Sequence, residues 1–324
     1  MLSKSLVFKS QKEDFFKIFF FTFLVFVISF NPVFLSSTLV ILATVYLLDG
    51  GHVYSTLLEV YADPEEIRKG YVWVVTFLSL VLNLLVLIFL PNYFFYYIFY
   101  FTVFHNMRQG LGVTFLYRKG IKGYAQFYKY SYYFLTVVPF LLFHFRVRDS
   151  KVKLGDAIIK SFDLSAFYSS EILAKYFQFG VIFFGIGGAL ILAYIYFKKQ
   201  FQGLFSLIFF SFVYVFAFLI SKNEFQSYII LIVSHAVPYY FLMEKRLVNT
   251  HRYNVIKKFA YMFLFFSFLA GGTLDYFHDS IIEYFDDADV LIRAILTTPL
   301  IAHFIFDGLI WRRGNERFKV FLQK

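Results

Sequence analysis

"VYLLDGGHVYSTLLEVYADPEE", residues 45–66, closes an apolar run that begins near residue 33. Hydrocarbon takes up Asp49, Gly50, Gly51 and His52 reluctantly. A charged side chain at the bilayer centre costs ~2.5 kcal/mol or more on insertion scales, and such residues usually mark a functional site. Asp49 and His52 are i, i+3, with Thr56 at i+7 and Glu59 at i+10, so all four fall on one stripe of a helix. The stretch therefore reads as a membrane helix with a polar stripe, which the Asp63-Pro64 pair terminates.

The rest of the chain sets this helix among others. Of 324 residues 60% are hydrophobic and only 16% charged, with 50 Phe and 26 Tyr; soluble domains carry about a quarter charged residues. The expected fold is all-α: a polytopic transmembrane helix bundle, with residues 1–324 forming one integral membrane domain. The net charge of +10 belongs with cytoplasmic loops and anionic lipid rather than with nucleic acid. Cysteine is absent, which excludes disulfides, thiolate metal sites, Fe–S clusters and cysteine nucleophiles. Residues 1–30 start basic and turn apolar without a small-x-small cleavage site, so they read as a retained first anchor.

A span needs ~20 apolar residues. Ten segments qualify, at about 15–31, 33–60, 71–90, 93–117, 126–145, 176–197, 203–221, 225–245, 257–275 and 288–311. About 8–10 spans are expected, fewer if one is re-entrant or neighbours merge. Breaks fall at Asn31-Pro32, Asp63-Pro64, Pro91-Asn92, Arg118–Lys122, Lys222-Asn223-Glu224 and the acidic stretch 283–289. Pro139, Pro238 and Pro299 sit inside segments, where kinks are expected. Residues 147–174 form the largest polar insertion, a loop or a short interfacial helix. With both termini cytoplasmic, the inside loops collect Lys4, Lys9, Lys12, Arg68, Lys69, Arg118, Lys119, Lys122, Lys198, Lys199, Lys245, Arg246, Arg252, Lys257, Lys258, Arg312, Arg313, Arg317 and Lys319, as the positive-inside rule asks. Residues 146–160 are the exception. This arrangement suits a multi-pass protein of the inner (plasma) membrane.

Seven histidines are present. His144, His251 and His278 lie at helix ends or in loops and read as interfacial. His52, His105, His235 and His303 lie well inside apolar runs, on four segments that run in one direction. They stand 9–13 residues from their cytoplasmic ends, ~14–20 Å along a helix, so the four rings are expected in one layer. Each has polar company: Asp49 before His52, Arg108 and Gln109 after His105, Tyr239 after His235, Asp307 after His303. Gly110 and Gly112 permit close helix approach.

Neutral imidazole is a ligand for iron, zinc and copper. A ligating His usually passes its second N–H to a carboxylate or carbonyl, the role expected of Asp49 and Asp307. Four histidines with outer carboxylates and no cysteine suit a non-haem Fe(2+) site, with Glu59, Gln109 and Tyr239 as candidate catalytic groups. Arg108 either joins them or snorkels to the headgroups. Aromatic residues make up 24% of the chain; they are lipid-facing filler or the wall of a tunnel for an apolar small molecule that enters from the bilayer.

The layout resembles the bacterial Brp/Blh-type β-carotene dioxygenases, multi-pass proteins with membrane histidines on separate helices and a bound iron. "LDGGHVYS" stands where that family has "PHGAxDH", and "FHNMRQ" is loosely similar to its "FHFG" motif. The resemblance implies an iron-binding role for His52 and His105, less directly for His235 and His303, and oxygenase chemistry on an isoprenoid. Two other classes stay open: a transporter with a His/Asp relay, with Gly185, Gly187, Gly188, Gly271 and Gly272 as hints of broken helices, and a b-haem redox protein with His52/His105 and His235/His303 as axial pairs. A purely structural polar network would place the same residues. Clustered HxxxH, Ser-hydrolase, P-loop and Rossmann signatures are absent.

Overall fold

The computed structural model describes residues 7–8, 10–31, 38–118, 123–146, 153–154, 157–158, 164, 167–221, 224–250, 253–285, 288–311 and 321. The fold is all-α. Among the described residues ten long helical segments follow one another, and each coincides with one of the apolar runs. They are α1 (11–28), α2 (38–62), α3 Tyr71–Phe89, α4 Phe94–Tyr117, α5 Ala125–Phe143, α6 Ser170–Phe197, α7 Leu204–Ile220, α8 Glu224–Thr250, α9 Ala260–Tyr276 and, after the short α10 His278–Tyr284, α11 Asp289–Ile310. By length and hydropathy alone four can cross a membrane, α3, α6, residues Phe225–Asn249 of α8, and α11; α9 with α10, bent by 48°, makes a fifth.

The sequence breaks act through capping. Asp63 leaves helical geometry (φ −103°, ψ 110°), its side chain accepts from Glu65 N at 2.9 Å, and Pro64 opens the next turn. Ser169 caps α6 in the same way, accepting from Ile172 N, with Glu171 in the first turn. Pro139, Pro238 and Pro299 lie within continuous helices. In the polar insertion 147–174 the described residues form a two-residue antiparallel ladder, Lys153–Leu154 with Ala157–Ile158, before α6 begins. Lys4, Lys9, Pro32, Lys119, Lys122, Arg148, Lys151, Lys160, Lys222, Asn223, His251, Arg252, Arg312, Arg313, Arg317 and Lys319 lie outside the described residues, as do positions 286 and 287 of the acidic stretch.

The membrane domain consists of two compact units, and the chain enters each twice. The first comprises Met1–Phe30 and Ile98–His235, the second Asn31–Tyr97 and Ala236–Lys324. In the first, α5 packs against α6 and α7. Gly110 is needed there: a side chain would run into the Tyr132 hydroxyl and come within 3.0 Å of the Phe210 ring. Gly112 does not share that role, because a Cβ there meets nothing within 4 Å. Arg118, expected in a solvated loop, is buried; Nη1 donates to the Gln202 carbonyl at 2.9 Å and the guanidinium lies 3.6 Å above the Tyr128 ring.

In the second unit α11 packs against α3 and the C-terminal half of α2, and α9 packs along α2. Gly50 and Gly51 meet α9, where Gly271 and Gly272 answer them. A Cβ on Gly51 would lie 2.6 Å from Phe268 Cα, and one on Gly271 would lie 2.8 Å from the Gly50 carbonyl. Small residues let two backbones touch where lipid supplies no hydrophobic drive for association. Gly271 and Gly272 thus serve packing within α9, ahead of the 48° bend that separates it from α10. Gly51→Ala is expected to cost about 1–3 kcal/mol by overpacking, whereas Gly112→Ala is expected to be neutral or mildly stabilising. Thermal unfolding of the two variants in detergent checks the contrast. Asn83, fully buried on α3, bridges to Thr297 Oγ1 at 3.1 Å and accepts from the Tyr97 hydroxyl at 3.2 Å, tying α3 to α11.

Candidate metal centre

The second unit brings His52 and His303 together. Their rings meet edge to face with centroids 4.9 Å apart, both buried, and their ligand-capable atoms lie within 4.8 Å of one another. His52 follows a nine-residue π-helical stretch, Leu42–Gly50, which carries Asp49; π-helical insertions recur at functional sites because they re-aim side chains.

The hydrogen bonds favour the Nδ1–H tautomer of both rings. His52 Nδ1 lies 3.1 Å from the Leu48 carbonyl, which can only accept, so Nδ1 carries the proton. Asp49 Oδ1 stands 3.7 Å from the same nitrogen. His303 Nδ1 lies 2.9 Å from Thr56 Oγ1. The Thr56 hydroxyl donates to Asp307 Oδ1 at 3.1 Å, so it accepts from His303. The Tyr239 hydroxyl donates to the same Asp307 oxygen at 2.8 Å and makes a short contact with Thr56 Oγ1. Asp307 therefore acts on His303 through Thr56, its carboxylate being 3.8 Å from Nδ1. With the proton on Nδ1, Nε2 of each ring is the nitrogen whose lone pair could hold a metal. A ligating histidine ordinarily has this relay to a carboxylate or carbonyl behind it.

A third layer lies two turns further along. Glu59 and Arg246 form an ion pair at 2.8 Å, with side-chain exposures of 2% and 0%. Glu59, a candidate catalytic group in the sequence, is thus engaged by Arg246. Arg246, expected in a cytoplasmic loop, instead lies inside α8 and is buried. Its signal in the sequence was its spacing, seven residues or about two turns beyond Tyr239 on the same face.

The first unit pairs the other two histidines. His105 on α4 and His235 on α8 are buried, with ring centroids 5.0 Å apart at 82°. Gln109 Nε2 donates to the His235 carbonyl at 3.2 Å, which places this candidate beside the pair but commits its amide to the backbone. Arg108 is exposed, its guanidinium 5.9 Å from the Phe104 ring centroid, as for a snorkelling cation. His144 is held by the Tyr100 hydroxyl on Nε2 at 2.6 Å and the Phe140 carbonyl on Nδ1 at 3.0 Å. His278 pairs with Asp279 at 2.9 Å. On α6, Tyr176, Phe179 and Phe183 are about 60% exposed, as lipid-facing side chains would be.

Thr56→Val keeps the volume and removes the relay. It is expected to weaken metal binding about 10–100-fold, the range for such outer partners, and to cost about 1–3 kcal/mol of stability by leaving buried polar partners unsatisfied; a competition titration against a coloured chelator measures the first and thermal unfolding the second. No family model, curated protein or solved structure matches the chain.

Proposed function

We propose that the chain is a multi-pass protein of the inner (plasma) membrane, with cytoplasmic termini, that binds a ferrous ion through its buried histidines. In this proposal it acts as an oxygenase on an apolar lipid or isoprenoid of the carotenoid type. The observation that carries the proposal is the His52/His303 pair, whose Nδ1 protons are both engaged so that both Nε2 atoms could hold a metal. The first unit holds a second buried pair, His105 and His235. An all-neutral ligand set with carboxylates behind it suits Fe(2+). Buried imidazoles with no such purpose would be an expensive way to pack helices.

When bound, ferrous iron supplies the capacity to activate dioxygen. The chain's own residues do the rest. Asp307, Tyr239 and Thr56 hold the proton on His303 Nδ1; Leu48 and Asp49 hold it on His52. Val53, Leu57, Ala302 and Phe306 pack around the pair's helices and exclude water. The resemblance to Brp/Blh-type dioxygenases bears on the substrate: a polyene taken directly from the bilayer, which fits a site inside apolar helices.

Haem does not fit between His52 and His303 or between His105 and His235, since rings in edge contact at 4.9 Å and 5.0 Å leave no slot for a macrocycle. A His/Asp relay in a transporter is favoured by one observation, the connected chain His303, Thr56, Asp307 and Tyr239. The two readings separate under ¹⁸O₂. Iron-loaded protein in vesicles containing a carotenoid is expected to yield products carrying ¹⁸O. Unlabelled, uncleaved polyene with undiminished oxygen would remove the oxygenase proposal.

A further inference from the structure

We propose that Arg246, with Glu59 as its counter-ion, is the positioning residue for His52 and His303: it locks the axial register of the three helices that carry the centre. The inference deepens the metal-centre proposal and rests on it for what is positioned, but the lock itself is a statement about helix register.

Arg246 stands on α8 and reaches two other helices. Its Nε donates to Glu59 Oε1 on α2 at 2.8 Å. Its Nη1 donates to the Ile310 carbonyl at the end of α11 at 3.1 Å, one of the terminal carbonyls that no helical N–H can satisfy. The guanidinium carbon lies 5.3 Å from the Trp311 ring centroid, a cation–π contact. Only a planar fork serves a carboxylate, a carbonyl and an aromatic face at once.

The spacing ties this contact to the centre. Glu59 is seven residues beyond His52, and Ile310 is seven beyond His303 (59 − 52 = 310 − 303 = 7). Thr56 and Asp307, which hydrogen-bond midway, keep the same offset of 251 residues. Helix α11 and the C-terminal half of α2 therefore run parallel and in register, and the lock lies ~10 Å, two turns, from the imidazoles. A slip of one residue would move a ring ~1.5 Å along and ~100° around its helix, enough to pull the paired ligands away from each other. Apolar side chains in lipid resist such a slip weakly, since lipid solvates them equally well. A buried ion pair resists it strongly, because any slip leaves both charges unsatisfied. Register-setting is the best-attested use of a buried ionic group.

The test uses the full chain in detergent. Glu59→Leu/Arg246→Met replaces the pair with apolar residues of similar size, a change that often leaves stability intact. Cobalt(II) serves as the metal probe, since its absorption reports ligand geometry. The double variant is expected to melt near the wild-type temperature yet bind cobalt at least tenfold more weakly, with an altered spectrum. A folded double variant with wild-type cobalt affinity and spectrum would overturn the lock. A second measurement needs no metal. The chain has no cysteine, so His52→Cys/His303→Cys introduces the only thiols, and iodine, small and soluble in apolar surroundings, should oxidise them to a disulfide with release of two equivalents of HI. Replacing Glu59 and Arg246 in that background should slow the cross-link about tenfold; an unchanged rate overturns the lock. If wild-type protein takes no cobalt, the metal proposal fails, and cross-linking alone decides the lock.

Discussion

Arg246→Met on its own is expected to lower the free energy of unfolding by about 3–5 kcal/mol, the range for breaking a buried ion pair from one side. The reason is what remains. Glu59, 2% exposed, would keep a carboxylate among apolar residues with its guanidinium gone. The Ile310 carbonyl would lose its donor as well. Glu59→Leu is expected to cost a similar amount, since it strands the cation. The double variant should recover most of the loss, giving a large coupling in a double-mutant cycle. Denaturant titration in mixed micelles measures all three. A single-variant loss as small as that of a surface substitution, about 0.5 kcal/mol or less, would show that the two charges are not mutually dependent.

His303→Ala is expected to abolish metal binding, and Asp307→Asn to weaken it about 10–100-fold. In the proposed centre His303 supplies a ligand nitrogen, and Asp307 acts one step back, through Thr56. Asparagine still accepts from Tyr239 and Thr56 but carries no charge to support the His303 Nδ1–H. The loss should therefore be graded, not complete. Isothermal titration with ferrous ion under anaerobic conditions reads both. Equal, complete loss in the two variants would mean that Asp307 is itself a ligand, and no loss in Asp307→Asn would mean that the relay through Thr56 has no bearing on the metal.

Much of the fold was legible in the sequence because lipid imposes a simple code. Every apolar run of about 20 residues became a helix, and the breaks at Asp63-Pro64 and before α6 are made by side chains whose capping chemistry is local. The glycines beside His52 were legible for the same reason: a helix with Gly50 and Gly51 invites close contact, and α9 supplies Gly271 and Gly272. Gly112 shows the limit, since a glycine permits an approach without requiring one.

Pairwise contacts were not legible. Depth along a helix can be counted from the sequence, where the four histidines stand 9–13 residues from the ends of their segments. That His52 meets His303, and His105 meets His235, depends on which helices pack together, which no local pattern encodes. Thr56 stood on the polar stripe in the sequence, yet its place between Asp307 and His303 follows from the register of α2 and α11. Arg246 was counted with the loop because Lys245 precedes it and basic residues follow; only its partner, 187 residues away, marks it as interior. Polar groups that satisfy one another across helices are invisible until the helices are placed.

The metal content of the purified chain tests the central claim most directly. Protein produced in iron-replete cells and purified in mild detergent should carry stoichiometric iron by mass spectrometry, and His52→Ala and His303→Ala should each lose it while remaining folded. Metal-free wild-type protein, or iron that persists unchanged in both variants, would contradict the account.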